Sequence, residues 1–446
     1  MNIYENDEAL EKDVKQSIDP DMLKKAKRRN LQTFTFGNLA FGFADACIMI
    51  VIIPLYMELT GSEFITGILI TFFMIMAFLP GPISGKLSDK FGRKTMKMIG
   101  HPLHIIGFTL LIFTSENTVF LLILSIIFRG LSASSEPINY QMIVAESTDK
   151  SKNGKGFIFG LMAFLYFFGN VWGSIFVNLT NFELRQYIVV FLVISSTVWF
   201  INAIFLTETH HAVERKKDVP KIKLRRDIFK NPKIKFAMIL LTMDILVWQI
   251  TGSVYNAGLQ STYEITVDDL AILNLGFSIS MIIFQIPAGK LTDKIGIKKS
   301  LILSISIGLI IYPLNIIVWI IWSFGNTLVL IPLLFISQLL WGATASTFIP
   351  SEASILTSLG DSRKGENFGW VHAVRGFGGI PTGVIGGFLM EYVHFLSPFI
   401  ITTIGIAVEV WFIVKYGKFF QKSEEIAPVT KKSRTELDYT KKLEVP

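Results

Sequence analysis

The chain has 446 residues, of which 51% are hydrophobic and 17% charged, with a formal net charge of +7 and one cysteine, Cys47. So apolar a composition excludes an ordinary water-soluble domain, and a lone cysteine excludes an intrachain disulfide or a cysteine-based metal cluster. The basic excess sits in loops and tails without interleaved aromatics, which fits anionic lipid headgroups and not nucleic acid.

In chain order, residues 1–30 mix Asp, Glu and Lys without the apolar run of a cleaved signal and read as a cytoplasmic tail. A helix crosses a bilayer core of about 30 Å with about 20 apolar residues. Twelve such stretches follow, near 33–58, 64–84, 95–114, 118–140, 156–179, 186–206, 235–258, 268–288, 300–322, 326–348, 368–390 and 394–416. They divide into a first unit at 31–206 and a second at 235–416, with a polar linker at 207–234 and a second tail at 417–446. The linker's His210 and His211 lack a third ligand, and no metal or other cofactor is expected.

Short loops on one face alternate with lysine-rich loops on the other. Nearly all of the 42 lysines and arginines lie on the lysine-rich side or in the tails; Arg129 and Arg375 fall inside helices and Arg185 on the opposite face. By the positive-inside rule both termini are cytoplasmic, in a multi-pass protein of the cell membrane.

The decapeptide Gly85-Lys86-Leu87-Ser88-Asp89-Lys90-Phe91-Gly92-Arg93-Lys94 returns as Gly289-Lys290-Leu291-Thr292-Asp293-Lys294-Ile295-Gly296-Ile297-Lys298, matching at seven of ten positions 204 residues apart. A charged, glycine-punctuated turn that recurs once per half implies two homologous membrane halves, the architecture of many secondary transporters. Gly85 and Gly92 suit a tight turn, Asp89 a helix cap and Arg93 a carboxylate partner.

These decapeptides resemble the loop signature of the major facilitator superfamily, Gly-x-x-x-Asp-Arg/Lys-x-Gly-Arg-Arg/Lys between helices two and three. A second likeness covers Arg129-Gly130, Glu146 and Asn153-Gly154-Lys155-Gly156-Phe157, echoed by Trp341-Gly342, Pro350 and Lys364-Gly365-Glu366-Asn367-Phe368. The resemblance implies an all-α membrane fold of two pseudo-symmetric six-helix bundles around a cavity lined by helices one, four, seven and ten. It also implies a cytoplasmic gate at Gly85, Asp89, Gly92, Arg93, Lys94 and Glu146, with Gly289, Asp293 and Gly296 in the second half. There Arg93 pairs with Glu146, and Asp89 meets the start of helix eleven near Gly365–Phe368. Asp45, nine residues before Pro54, is similar to the arrangement in twelve-helix drug/proton antiporters. Their helix-five signature Gly-Pro-x-x-Gly-Gly stands here as Gly169-Asn170-Val171-Trp172-Gly173-Ser174, without the proline and the last glycine.

Charged groups at bilayer depth are functional candidates. Helix one offers Asp45 with Asn38 on a polar stripe; helix four offers Arg129 and Glu136, a pair for the cavity or for each other; helix seven offers Asp244 with Trp248, Thr251 and Tyr255 on its face. Helix ten adds Gln338 and Trp341, and helix eleven adds Arg375, as an anion site or the partner of an acid. Asp45 and Asp244 are expected to face each other's half across the cavity, Asp45 as the proton carrier. His101 and His104 stand one turn apart on helix three, and Glu409 on helix twelve reads as peripheral. The leading expectation is a monomeric carrier that exports a small amphipathic or hydrophobic compound against protons. Proton-symport uptake of an organic acid or sugar shares these features; a non-transporting sensor would dispense with polar cavity residues. No nucleophile–base constellation suggests an enzyme.

Overall fold

The structure, a computed structural model, describes residues 20–148, 155–208, 232–357 and 364–417. Their regular elements are all helical: α1 (Pro20–Thr60), α2 (Glu63–Phe78, resuming as Gly81–Phe91), α3 (Arg93–Ile112), α4 (Val119–Ser147), α5 (Lys155–Leu179), α6 (Leu184–Phe205), α7 (Pro232–Gly252, resuming as Tyr255–Tyr263), α8 (Val267–Ile295), α9 (Ile297–Ser323), α10 (Leu330–Thr357), α11 (Lys364–Gly379, then Thr382–Phe388 and a π turn Leu389–Val393) and α12 (Ser397–Tyr416). Among the described residues, eleven helices are long and apolar enough to cross a membrane. The expected eleventh span is interrupted at Ile380–Pro381, because Pro381 has no N–H to continue the helical ladder.

Two expectations change here. α1 begins at Pro20, inside the expected tail, so about three helical turns carry Lys24, Lys25, Arg28 and Arg29 below the apolar span. The decapeptides are not turns along their length. Gly85 and Gly289 lie within helices; only Gly92 (φ 96°) and Gly296 (φ 82°) break the chain, in a backbone region that glycine enters without steric cost. Most of the 207–234 linker and of the 417–446 tail lies outside the described residues.

Helices α1–α6 form one bundle and α7–α12 the other. Leu55, Tyr56, Phe108, Leu111, Ile126 and Phe191 fill the first core. Tyr255, Leu301, Ile305, Tyr312, Phe399 and Ile406 belong to the second. The bundles meet along α2 against α11 and α5 against α8.

At the first seam glycine lets backbone touch backbone. A Cβ on Gly383 would overlap the Gly67 carbonyl, one on Gly387 would lie 2.6 Å from Glu63 O, and one on Gly376 would strike the Phe78 side chain. At its outer end Glu391 of α11 accepts hydrogen bonds from Ser62 Oγ (2.6 Å) and Phe64 N (2.9 Å), satisfying part of the α2 N-terminus from across the seam.

This seam predicts opposite outcomes for two glycines. Gly383→Val should lower the melting temperature of detergent-purified protein and reduce its monodisperse yield, because the clash is with backbone. Gly289→Ala, with nothing within 4 Å of the added Cβ, should be neutral or stabilise by up to about 1 kcal/mol, since alanine is the better helix former. Equal loss in both variants would contradict the seam.

Candidate functional site

In the first bundle, α1 and α5 bring Asp45 to Tyr166, whose hydroxyl donates to Asp45 Oδ2. One face of α1 reaches α5 because Gly42, Gly169 and Gly173 leave no side chain between the backbones. Asn38 lies two turns nearer the start of α1, its amide donating to Tyr140 Oη (2.7 Å) and Met162 O (3.2 Å). Arg129 does not pair with Glu136. Its Nη1 donates to Tyr56 Oη at 2.8 Å, and its guanidinium lies 4.4 Å from the Phe108 ring centroid, a cation–π contact.

Glu136 instead faces α3, where Lys97 Nζ donates to its Oε2 at 2.5 Å and His101 Nδ1 stands 3.6 Å from its Oε1. The expected same-side relation of Arg129 and Glu136 holds, but that side looks toward α3, whose Gly107 and Gly100 leave room for both side chains. A closer cation took Glu136. His101 Nε2 is also engaged, against Ser195 Oγ at 2.9 Å.

In the second bundle Arg375 of α11 reaches into α7 and α10. Its Nη2 lies 3.4 Å from Asp244 Oδ2, and its Nη1 donates to Glu352 Oε1. Arg375 is therefore the partner of two acids, and Asp45 and Asp244 are each held within their own bundle; neither reaches across to the other half. The α7 face expected to look into the cavity turns inward as well. Trp248 packs on Tyr312 (5.6 Å between centroids), Thr251 Oγ1 bonds Thr402 Oγ1 (2.8 Å), and Tyr255 Oη donates to Asn315 Oδ1 (3.1 Å). Trp341 of α10 meets Tyr255 edge-on at 5.6 Å, with buried Gln338 one turn away.

The cluster around the Gly92 break is closely built. Arg93, 2% exposed, contacts Asp89 Oδ1 (2.6 Å), Glu146 Oε1 (3.5 Å) and Ser88 Oγ (2.8 Å). The α3 N-terminus that follows Gly92 is capped by Glu208, which accepts from the amides of Arg93 (3.1 Å) and Lys94 (2.9 Å). A Cβ on Gly92 would run into that carboxylate. In the second half Ile297 replaces the arginine, and hydroxyls take over: Thr292 Oγ1 bonds Ser300 Oγ (2.7 Å) and Ser351 Oγ bonds Ser300 Oγ (3.0 Å). The side chains of Asp293 and of Gly365–Phe368, and with them the expected Asp89 contact, lie outside the described residues.

Three acids escaped the sequence reading. Glu208 and Glu352 sit at helix ends, where carboxylates are ordinary; only their partners across the fold mark them. Glu409 reads as peripheral on helix twelve but is fully buried between α12 and α7, and nothing in its local sequence says which face of α12 turns inward.

The Major Facilitator Superfamily profile matches residues 34–246 and 237–438. The multi-drug resistance efflux pump PmrA of Streptococcus pneumoniae is 28% identical over 302 residues, covering 64% of this chain and 72% of that one. The multidrug resistance protein MdtG of Proteus mirabilis is 26% identical over 403 residues, covering 84% and 92%. Among solved structures, the human organic anion transporter MFSD10 (TM-score 0.67, 13% identity) and the nucleoside transporter NupG (TM-score 0.67, 17% identity) each cover 87% of this chain and 99% of their own, a likeness of fold.

Arg375→Ala leaves Asp244 and Glu352 without their cation, and breaking a buried pair from one side costs about 3–5 kcal/mol. We expect a marked fall in melting temperature, largely restored when Asp244→Asn and Glu352→Gln are added. Additive losses in the triple variant would contradict a shared cluster.

Proposed function

The chain belongs to the Major Facilitator Superfamily and is a multi-pass membrane transporter of a small-molecule substrate, and we propose that it is a proton-coupled exporter of amphipathic or hydrophobic compounds. The observation that carries this reading is a membrane-buried carboxylate in each bundle held by a partner it can release: Asp45 by the Tyr166 hydroxyl, Asp244 by Arg375. A carboxylate kept from bulk water gains little from staying ionised once its partner moves. Proton binding to Asp244 ends its hold on Arg375, which keeps Glu352; proton binding to Asp45 weakens its hold on Tyr166. Each event loosens one helix pair, α7–α11 or α1–α5, and biases the bundles toward the other orientation. The names of PmrA and MdtG support export and a drug-like cargo. The half-buried Trp341 ring of α10 suits a flat apolar substrate.

In this reading both termini are cytoplasmic, one chain is the working unit, and the Arg93 cluster is the cytoplasmic clamp that favours the outward-open state. The hydroxyl cluster at Thr292 is its weaker counterpart, because neutral hydrogen bonds are about half as strong as charge-assisted ones.

Orientation is checked with single cysteines in a Cys47→Ser background. An impermeant thiol reagent applied to intact cells should label Asn326→Cys and spare Lys90→Cys; the reverse pattern inverts the topology.

Export is checked with ethidium as probe in everted vesicles, where an acidic interior should drive uptake. Asp45→Asn, which keeps an acceptor for Tyr166 but cannot titrate, should abolish gradient-driven uptake at unchanged melting temperature. Normal gradient-driven uptake by Asp45→Asn would remove Asp45 from coupling.

A further inference from the structure

Among the described residues, Asp244, Glu352 and Glu409 have one cation near them, Arg375, which already contacts the first two. Glu409 is 0% exposed, and the Trp248 indole N–H lies beside its carboxylate without closing a full hydrogen bond. The groups near enough to act on it electrostatically are Asp244 and Trp248 from α7, Tyr312 from α9 and Arg375 from α11.

Two of these are donors without acceptors. The Trp248 indole N–H and the Tyr312 hydroxyl, on residues 8% and 1% exposed, make no hydrogen bond among the described residues. Arg375 Nε is a third orphan donor on the same side chain that holds Asp244. Orphaned buried polar atoms each cost about 1–3 kcal/mol and are few in natural proteins. Here a carboxyl and its donors are orphaned around one spot.

A structural role fits poorly. An acid placed only to pack α12 on α7 would be improved by leucine or methionine, and an acid placed to bind Arg375 would touch it. The arrangement suits a group that alternates between two forms. As a neutral acid, Glu409 fits a pocket with no cation of its own. As a carboxylate, it has two donors, Trp248 Nε1 and Tyr312 Oη, beside it to receive the charge.

We propose that Glu409 is a proton-binding residue of the transport cycle, exchanging its proton with Asp244 within a polar pocket walled by Trp248 and Tyr312. The proposal rests on the proton-coupled reading above. In the step, the O–H bond of Glu409 breaks and an O–H bond forms on an Asp244 carboxylate oxygen. Glu409 becomes the carboxylate and takes the Trp248 N–H and Tyr312 O–H. Asp244 becomes the neutral acid and releases its share of Arg375, which stays with Glu352. One proton moves and the net charge of the cluster is unchanged. The pocket thus stores a proton between α7 and α12, and the Arg375 hand-over ties the transfer to α11.

The test needs no substrate. Purified full-length protein in lipid nanodiscs is followed by infrared difference spectroscopy across a pH titration. The protein should show a protonated-carboxyl C=O stretch at neutral pH that shifts in D2O and disappears in Glu409→Gln. In Asp244→Asn the band should persist with an altered pH profile, because the exchange partner is gone. Glu409→Asp, a variant that keeps the acid, should retain a band at altered frequency if Gln fails to fold. In everted vesicles both Glu409→Gln and the better-packing Glu409→Leu should lose pH-driven ethidium uptake at retained melting temperature.

A band unchanged in Glu409→Gln, or full gradient-driven uptake by Glu409→Leu, overturns the proposal. Absence of pH-driven uptake in the unsubstituted protein, with the Glu409 band present, overturns the coupling reading instead.

Discussion

A charge taken to the middle of a bilayer costs on the order of 3 kcal/mol or more, and that penalty organises this protein. It is met locally. Arg93 with Asp89 and Glu146, Lys97 with Glu136, and Arg375 with Asp244 and Glu352 each join residues of one bundle. Arg129, without a carboxylate, is held by the Tyr56 hydroxyl and the Phe108 face. None of the ion pairs between described residues crosses from one bundle to the other.

Among the described residues, the contacts at the seams between bundles include close glycine approaches and neutral hydrogen bonds. α2 and α11 approach through Gly67, Gly376, Gly383 and Gly387. α5 and α8 are joined by amides and hydroxyls: Asn170 Oδ1 accepts from Asn274 Nδ2 (2.9 Å) and Ser278 Oγ (2.5 Å), and Asn274 Nδ2 also donates to Ser174 Oγ (2.8 Å). Such contacts break and re-form at about 1 kcal/mol each; in the cycle we propose, the ion pairs inside each bundle are the latches that protons release.

The fold was largely legible because it is written in apolar stretches and a repeat, both local properties of the chain. Boundaries erred where polar residues continue a helix, as at α1, whose start from Pro20 carries lysines that read as tail. The site was legible as residue types and not as partners. Asp45, Arg129, Asp244 and Arg375 stood out as charges at depth, yet Glu136 turned to Lys97, Trp248 turned into its own bundle, and Glu409 was buried. Helical phase within a bundle is set by packing against neighbours, which one helix's sequence does not state. The departure from the antiporter hexapeptide is the clearest case: Gly169 and Gly173 are kept because α1 backbone lies against them, while Asn170 and Ser174, at the altered positions, form the inter-bundle link.

Proton movement coupled to cargo is the central claim, and it is measured most directly in proteoliposomes that enclose a pH-sensitive dye, with ethidium added outside and no imposed gradient. The account predicts that ethidium entry drives protons out, with the internal pH rising in proportion to the dye taken up, and that this rise is absent in a protein carrying Asp45→Asn and Asp244→Asn together. Ethidium entry at the same rate with a constant internal pH would contradict it.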